Sequence, residues 1–197
     1  MKKSTDSSRP DFWTHRYASG ETPWDFHGVP PALNSFLARS SPRGAVLIPG
    51  CGSGYEVQAF HQAGFDVTAL DFSPAAVERA RRALGPLAGK ITFADFFAHD
   101  FGAHKFDLIY ERTFLCSMPP ARWPDYTARM AQLLRPAGKL IGFFWYGREP
   151  EPPPYPLTEK ESGQLFGGKF RLVRSDAVAD SLPVFGGKER WQEWERV

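Results

Sequence analysis

Gly50-Cys51-Gly52-Ser53-Gly54 follows an apolar run and precedes a helical pattern. Glycines at such a junction let the backbone approach a ligand closely; the plainer alternative is a tight packing turn with no ligand. The turn is not a phosphate cradle, because the Lys-Ser/Thr pair of a P-loop is missing and Glu56, in the first helical turn, would repel a diphosphate. Asp71 closes the next apolar run, where a carboxylate can accept both hydroxyls of a ribose, although an Asx-type cap beside Ser73 would use the same residue. Asp95 lies in Phe93-Ala94-Asp95-Phe96-Phe97. Its carboxylate can take the exocyclic amine of adenine while Phe96 or Phe97 stacks nearby, or it is a simple loop aspartate. Read together, these residues suit a nucleoside that carries no phosphate.

Such residues need strand ends to hold them. GAVLIP (44 to 49) reads as a buried parallel strand, with a helix from about Tyr55. FDVTAL (65 to 70) is a second strand, and Ser73-Pro74 supply the N-cap and first position of a helix over AAVERARRAL that ends at Gly85. Residues 91 to 94 and 106 to 110 read as the third and fourth strands. A helix from about Pro120, with Trp123, Tyr126, Met130, Leu133 and Leu134 at helical spacing, runs to Gly138, and LIGFFW (140 to 145) is the fifth strand. Thr158 to Glu161 forms a capping box for a short helix; 170 to 174 and 191 to 195 look like a closing pair of strands. Pro30-Pro31 open a helix through Arg39, residues 149 to 156 form an extended loop, and both FGGK segments are turns. The pattern implies an α/β fold: a mainly parallel seven-stranded sheet with one antiparallel strand near an edge and helices on both faces. Ligands in such sheets sit at the carboxyl ends of the strands.

Composition narrows the possibilities. The 197 residues fit one domain, read as a disordered tail over 1 to 10 and a single domain over 11 to 197 that starts with an aromatic arm, 11 to 31. With 24 Lys+Arg against 22 Asp+Glu the net charge is +2 and the basic residues form no stripe, so nucleic acid is not the expected partner. No apolar run approaches the ~18 residues of a membrane span, and Met1 to Arg9 has no apolar core of a secretory signal, which leads to a cytoplasmic protein. Cys51 and Cys116 are expected to be unpaired, and the histidines have no zinc-binding spacing, so no metal is expected. Aromatic residues reach 15%, more than a core of this size needs.

An adenosyl ligand without phosphate on a seven-stranded α/β sheet points to S-adenosyl-L-methionine. The motifs agree: WTHRYASGETPWD, LIPGCGSGYE, TALDFS, ADFF, FDLIYERTFLCSMPP, LLRPAGKLIGFFW, PPPYPLT and GKERWQEWER. Over 11 to 197 the chain resembles the thiopurine S-methyltransferase superfamily, Rossmann-like class I methyltransferases that include plant halide/thiol methyltransferases. That resemblance implies Gly50 and Gly52 at the methionine end of the cofactor, Asp71 on ribose, and Asp95 with Phe96 at adenine. It implies that Trp13, Tyr17 and Trp24 cover the cofactor, with Tyr17 departing from the more usual tryptophan; core packing is the alternative for these rings. Arg112 matches an arginine that in the thiopurine branch lies between cofactor and acceptor, whereas the plant halide/thiol enzymes carry tyrosine there.

The expectation is therefore a monomeric methyltransferase acting on a small thiol or thiopurine-like acceptor, with Trp24 and Arg112 at the acceptor and Arg112 as the catalytic residue. A guanidinium stays protonated but lowers the pKa of a nearby thiol and holds the thiolate; a salt bridge to Glu111 is the other use of Arg112. Aromatic faces beside a sulfonium provide cation–π stabilisation and exclude water. Two alternatives stand beside this reading: methylation of halide, selenium or tellurium anions or of a heterocycle nitrogen, and a cofactor-binding protein without catalysis. The D/N-P-P-Y/F signature of nucleobase amino methyltransferases is absent after the fourth strand, where the chain reads YERT.

Overall fold

A computed structural model describes residues 6–40 and 44–197. Strands β1 (Ala45–Pro49), β2 (Asp66–Asp71), β3 (Ile91–Phe93), β4 (Phe106–Arg112), β5 (Leu134–Trp145), β6 (Phe170–Ala177) and β7 (Glu189–Arg196) form one sheet in the order β3-β2-β1-β4-β5-β7-β6. The first five strands are parallel, whereas β7 runs antiparallel to both β5 and β6. The order reverses beside β1, so the carboxyl ends of β1, β2 and β4 surround a switch-point crevice.

Strand alternation sends successive side chains to opposite faces. Val46 and Ile48 pack with Leu33, Phe36, Val57, Phe60, Val77 and Ala80, from helices α2 (Pro31–Arg39), α3 (Tyr55–Gln62) and α4 (Pro74–Leu84). Ala45 and Leu47 join the opposite core with Tyr126, Met130 and Phe166, from α5 (Trp123–Leu133) and α6 (Glu159–Phe166). The Ser73 hydroxyl caps α4 by accepting from Ala76 N at 3.3 Å, and Thr158 and Glu161 form the expected capping box at α6.

Three sequence expectations differ from the structure. Of the tail placed over 1 to 10, residues 1–5 lie outside the described residues, while Asp6 to Arg9 form a turn in which Ser7 is buried and its carbonyl accepts from Trp13 Nε1 at 2.7 Å. The arm, read as lacking regular alternation, contains helix α1 (Pro10–Ser19). Pro10 starts it, Phe12 is buried under it, and Gly20 at φ 74° ends it by donating to the carbonyls of Arg16 and Tyr17. The helix expected to run to Gly138 stops at Leu133, because Leu134 has turned into β5 and is fully buried. The residues between Leu134 and Lys139 bulge out of register against β4, with Ala137 at φ 59°.

Candidate active site

The glycine turn is shaped to be bare. Gly50, Gly52 and Gly54 all lie at positive φ, where a side chain is strained. A Cβ on Gly50 would sit 2.5 Å from Phe114 Cδ2, and one on Gly52 would run into the Tyr17 hydroxyl. Gly52 N donates to Asp71 Oδ2 at 3.0 Å, and Ser73 N donates to Asp71 Oδ1 at 2.8 Å, so the turn after β1 and the end of β2 are bolted through one carboxylate. Burial raises the Asp71 pKa to about 6, with the backbone donors pulling it back down. Asp71 is thus partly the local cap that its position next to Ser73 allowed, and each of its oxygens still has acceptor capacity.

After β3, Asp95 is exposed and its Oδ1 accepts from Phe97 N at 2.8 Å, a local turn. Phe96 is buried, edge-on to Phe97 at 5.2 Å and to Phe114 at 5.4 Å. Helix α1 lies across this end of the sheet: Thr14 Oγ1 and Ser73 Oγ are 3.1 Å apart, and α1 presents Trp13 and Tyr17 on one face at i, i+4 spacing. Both rings meet Trp24 edge-on, at 5.3 and 6.0 Å, and Trp24 Nε1 donates to the Tyr17 hydroxyl at 3.4 Å.

After β4, Glu111 and Arg112 point to opposite faces of the sheet, which separates the two groups that the sequence left as a possible pair. Glu111 braces the following loop instead: Oε1 accepts from Phe114 N at 2.7 Å and Leu115 N at 3.0 Å, and Oε2 accepts from the Tyr126 hydroxyl at 2.6 Å. Burial pushes its pKa up to about 7. Arg112 Nη1 meets Glu189 Oε1 of β7 at 2.5 Å, and its guanidinium carbon lies 4.4 Å over the Phe143 ring. Between them and Phe114 stands Thr113 at φ 59°, an unusual conformation for a β-branched residue, held there at a cost of about 1–3 kcal/mol.

These residues line two connected spaces. The larger is a cleft of about 1170 Å³, its open mouth included, that gathers Trp13, Tyr17, Trp24, Gly50, Asp71, Asp95 and Phe96. Its far wall holds Phe114, Met118, Pro153, Pro154 and Phe185, so the 149 to 156 loop forms part of the cleft. The smaller space is a recess of about 470 Å³ around Gly52, Glu56, Tyr110 and Arg112, joined to the cleft through Tyr17, Trp24, Gly50 and Thr113. Glu56 is buried there with a pKa raised by burial to about 7, and the Tyr110 hydroxyl lies 3.5 Å away. Phe114, Thr113, Glu56 and Glu189 were not singled out as site residues from the sequence; the Glu-Arg-Thr-Phe segment at the end of β4 was the signal that could have found the first two. Cys51 and Cys116 are buried free thiols whose pKa values are pushed up by burial.

A family model described as thiopurine S-methyltransferase matches residues 8–196. The chain belongs to this family. Among relatives of the thiopurine S-methyltransferase family, the Arabidopsis thaliana protein named "Probable thiol methyltransferase 2" is 36% identical over 155 residues, which is 76% of this chain and 68% of that protein. "Thiocyanate methyltransferase 1" of Brassica oleracea is 28% identical over 202 residues, 94% of this chain and 84% of its own. The fold matches the crystal structure of Burkholderia thailandensis 1,6-didemethyltoxoflavin-N1-methyltransferase with bound 1,6-didemethyltoxoflavin and S-adenosylhomocysteine. The TM-score is 0.75 and the identity 22%, over 95% of this chain and 86% of that one. The protein is a Rossmann-like methyltransferase that uses S-adenosyl-L-methionine.

Proposed function

We propose that this enzyme methylates the sulfur of a small thiol or thiopurine-like acceptor. The observation that carries the reading is Arg112, a guanidinium only 12% exposed, stacked on Phe143 in the recess that opens into the cleft. The residues present fit the cofactor. Asp71 has acceptor capacity left for ribose hydroxyls, Asp95 and Phe96 suit adenine, and Gly50 and Gly52 leave room for the amino-acid end beside Glu56.

When bound, S-adenosyl-L-methionine would supply a methyl group activated by its sulfonium, which the acceptor sulfur takes while the electron pair of the broken bond stays on the cofactor's sulfur. The chain's own residues then do three things. Trp13, Tyr17 and Trp24 close over the cleft and keep water out, which favours a step in which charge disappears. Their ring faces suit a cation. Arg112 offers N–H donors that hold the acceptor sulfur as its proton passes to solvent; it stays protonated and does not receive that proton. Thiols ionise near pH 8 to 9 by themselves, so a modest shift suffices, and no residue has to act as general base.

The acceptor is a small molecule, and the setting we propose is a cytoplasmic monomer; among the described residues no helix is long and apolar enough to cross a membrane. The relative named for thiocyanate favours a second reading in which the acceptor is an inorganic anion. A panel of thiols, iodide and thiocyanate with methyl-labelled cofactor separates the two. Labelled thioether is the expected product, and inert thiols beside reactive iodide would defeat the first reading.

A further inference from the structure

Strand β7 brings its first residue to the end of the sheet where the parallel strands finish, because it runs antiparallel to β5 with Glu189 opposite Trp145. Arg112 lies opposite Phe143 on the other side of β5. The carboxylate and guanidinium meet at 2.5 Å, with side chains 2% and 12% exposed, and Ser181 Oγ donates to the second carboxylate oxygen at 2.7 Å. Rings surround the pair: Phe143 at 4.4 Å, Phe185 at 5.8 Å and Phe26 at 5.9 Å from the guanidinium carbon. The arginine that faces the acceptor is therefore already neutralised, in surroundings where charge is poorly screened. Glu56 and Asp25, which line the same recess, add no positive charge, and Asp25 is tied to Ser53 at 2.7 Å and Arg79 at 3.3 Å.

We propose that Glu189 is a positioning and specificity-determining residue that makes this a site for neutral thiols and not for preformed anions. The inference rests on the thiol reading above and deepens it. An inorganic anion entering the cleft would lose its hydration and meet an ion pair of zero net charge, with no apolar body to bury in return. A thiol enters uncharged, buries its carbon skeleton against Met118, Val184 and Phe185, and needs the guanidinium N–H groups only as its sulfur loses a proton. Glu189 also fixes the guanidinium plane over Phe143, so that those donors are aimed before the acceptor arrives.

Glu189→Gln keeps a hydrogen-bonding partner for Arg112 but leaves its charge uncompensated. The expected result is at least about tenfold tighter binding of thiocyanate to the complex with S-adenosylhomocysteine, read by titration calorimetry. Affinity for S-adenosylhomocysteine itself should stay within about threefold, and the ratio of kcat/KM for iodide to that for phenylmethanethiol, an alkyl thiol that is uncharged at neutral pH, should rise at least about tenfold. Thiocyanate binding and acceptor ratio both unchanged, with S-adenosylhomocysteine still bound, would overturn the assignment to Glu189 alone. A wild type that prefers iodide to phenylmethanethiol would overturn the thiol reading as well. If Glu189→Gln does not fold, Glu189→Asp, which draws the carboxylate back from Arg112 by one methylene, should move the acceptor ratio in the same direction by a smaller factor, and a ratio at the wild-type value there would overturn the proposal.

Discussion

Asp71 makes the affinity for S-adenosylhomocysteine depend on pH in a range where an ordinary aspartate is silent. Burial lifts its pKa from 3.8 to about 6. If ribose hydroxyls donate to the ionised carboxylate, the dissociation constant scales as one plus the ratio of protonated to ionised Asp71. That factor is about 2 at pH 6 and about 11 at pH 5, against about 1.1 at pH 5 for a carboxyl that titrates near 3.8. The same shift has a stability sign. A carboxyl whose folded pKa is raised contributes stability that is full below 3.8 and is lost as pH rises through about 6. At neutral pH the free protein therefore carries a penalty of about 3 kcal/mol at this residue, some of which ribose hydroxyls relieve. Titration calorimetry near pH 8, 6 and 5, with circular dichroism to confirm folding, measures the slope. Asp71→Asn should abolish the slope and weaken binding at pH 8 by about 10- to 100-fold, the worth of one charge-assisted bond of about 1.5–3 kcal/mol. A dissociation constant that stays constant from pH 8 to 5 would refute the argument, as would a slope that survives in Asp71→Asn and so belongs to Glu56.

Gly52→Ala places a methyl group against the Tyr17 hydroxyl at a φ of 52°, so it should lower the unfolding free energy by about 1–3 kcal/mol and weaken S-adenosylhomocysteine at least about tenfold, read by thermal melts and calorimetry. Tyr126→Phe removes the 2.6 Å bond to Glu111 and should destabilise by about 1.5–3 kcal/mol. Because the Glu111 pKa is already about 7, that loss should be larger above pH 7 than near pH 5, where the carboxyl is protonated; denaturant melts at both values check it.

The sheet was legible because its strands announce themselves: AVLIP is apolar at every position and buried at every position, and Ser73-Pro74 mark a helix start that the structure keeps. Helix α1 was harder to see. Its apolar residues Phe12, Trp13 and Tyr17 do recur at helical spacing, but turn formers on both sides made the whole stretch look irregular, and what stabilises the helix is tertiary: Thr14 on Ser73 and Trp13 on the Ser7 carbonyl. The candidate site was legible in placement where local spacing sets geometry, as Gly50, Gly52 and Asp71 do meet at the strand ends. What was not legible was the partner of Arg112: its neighbour in sequence, Glu111, faces away, while its partner in space, Glu189, comes from a distant strand; strand alternation could have excluded the first but only the topology supplies the second.

That topology gives the centre a history as well as a shape. Arg112 precedes Glu189 by 77 residues, and β7 lies between β5 and β6, so the carboxylate is in place only when the last strand has joined the sheet. A chain cut short after β6 would keep the glycine turn and Asp71 in sequence while lacking Glu189, the counter-charge of Arg112. Completing the sheet and pairing Arg112 are thus a single event, and if Arg112 serves the acceptor as proposed, a misplaced β7 would be felt in chemistry as well as in stability.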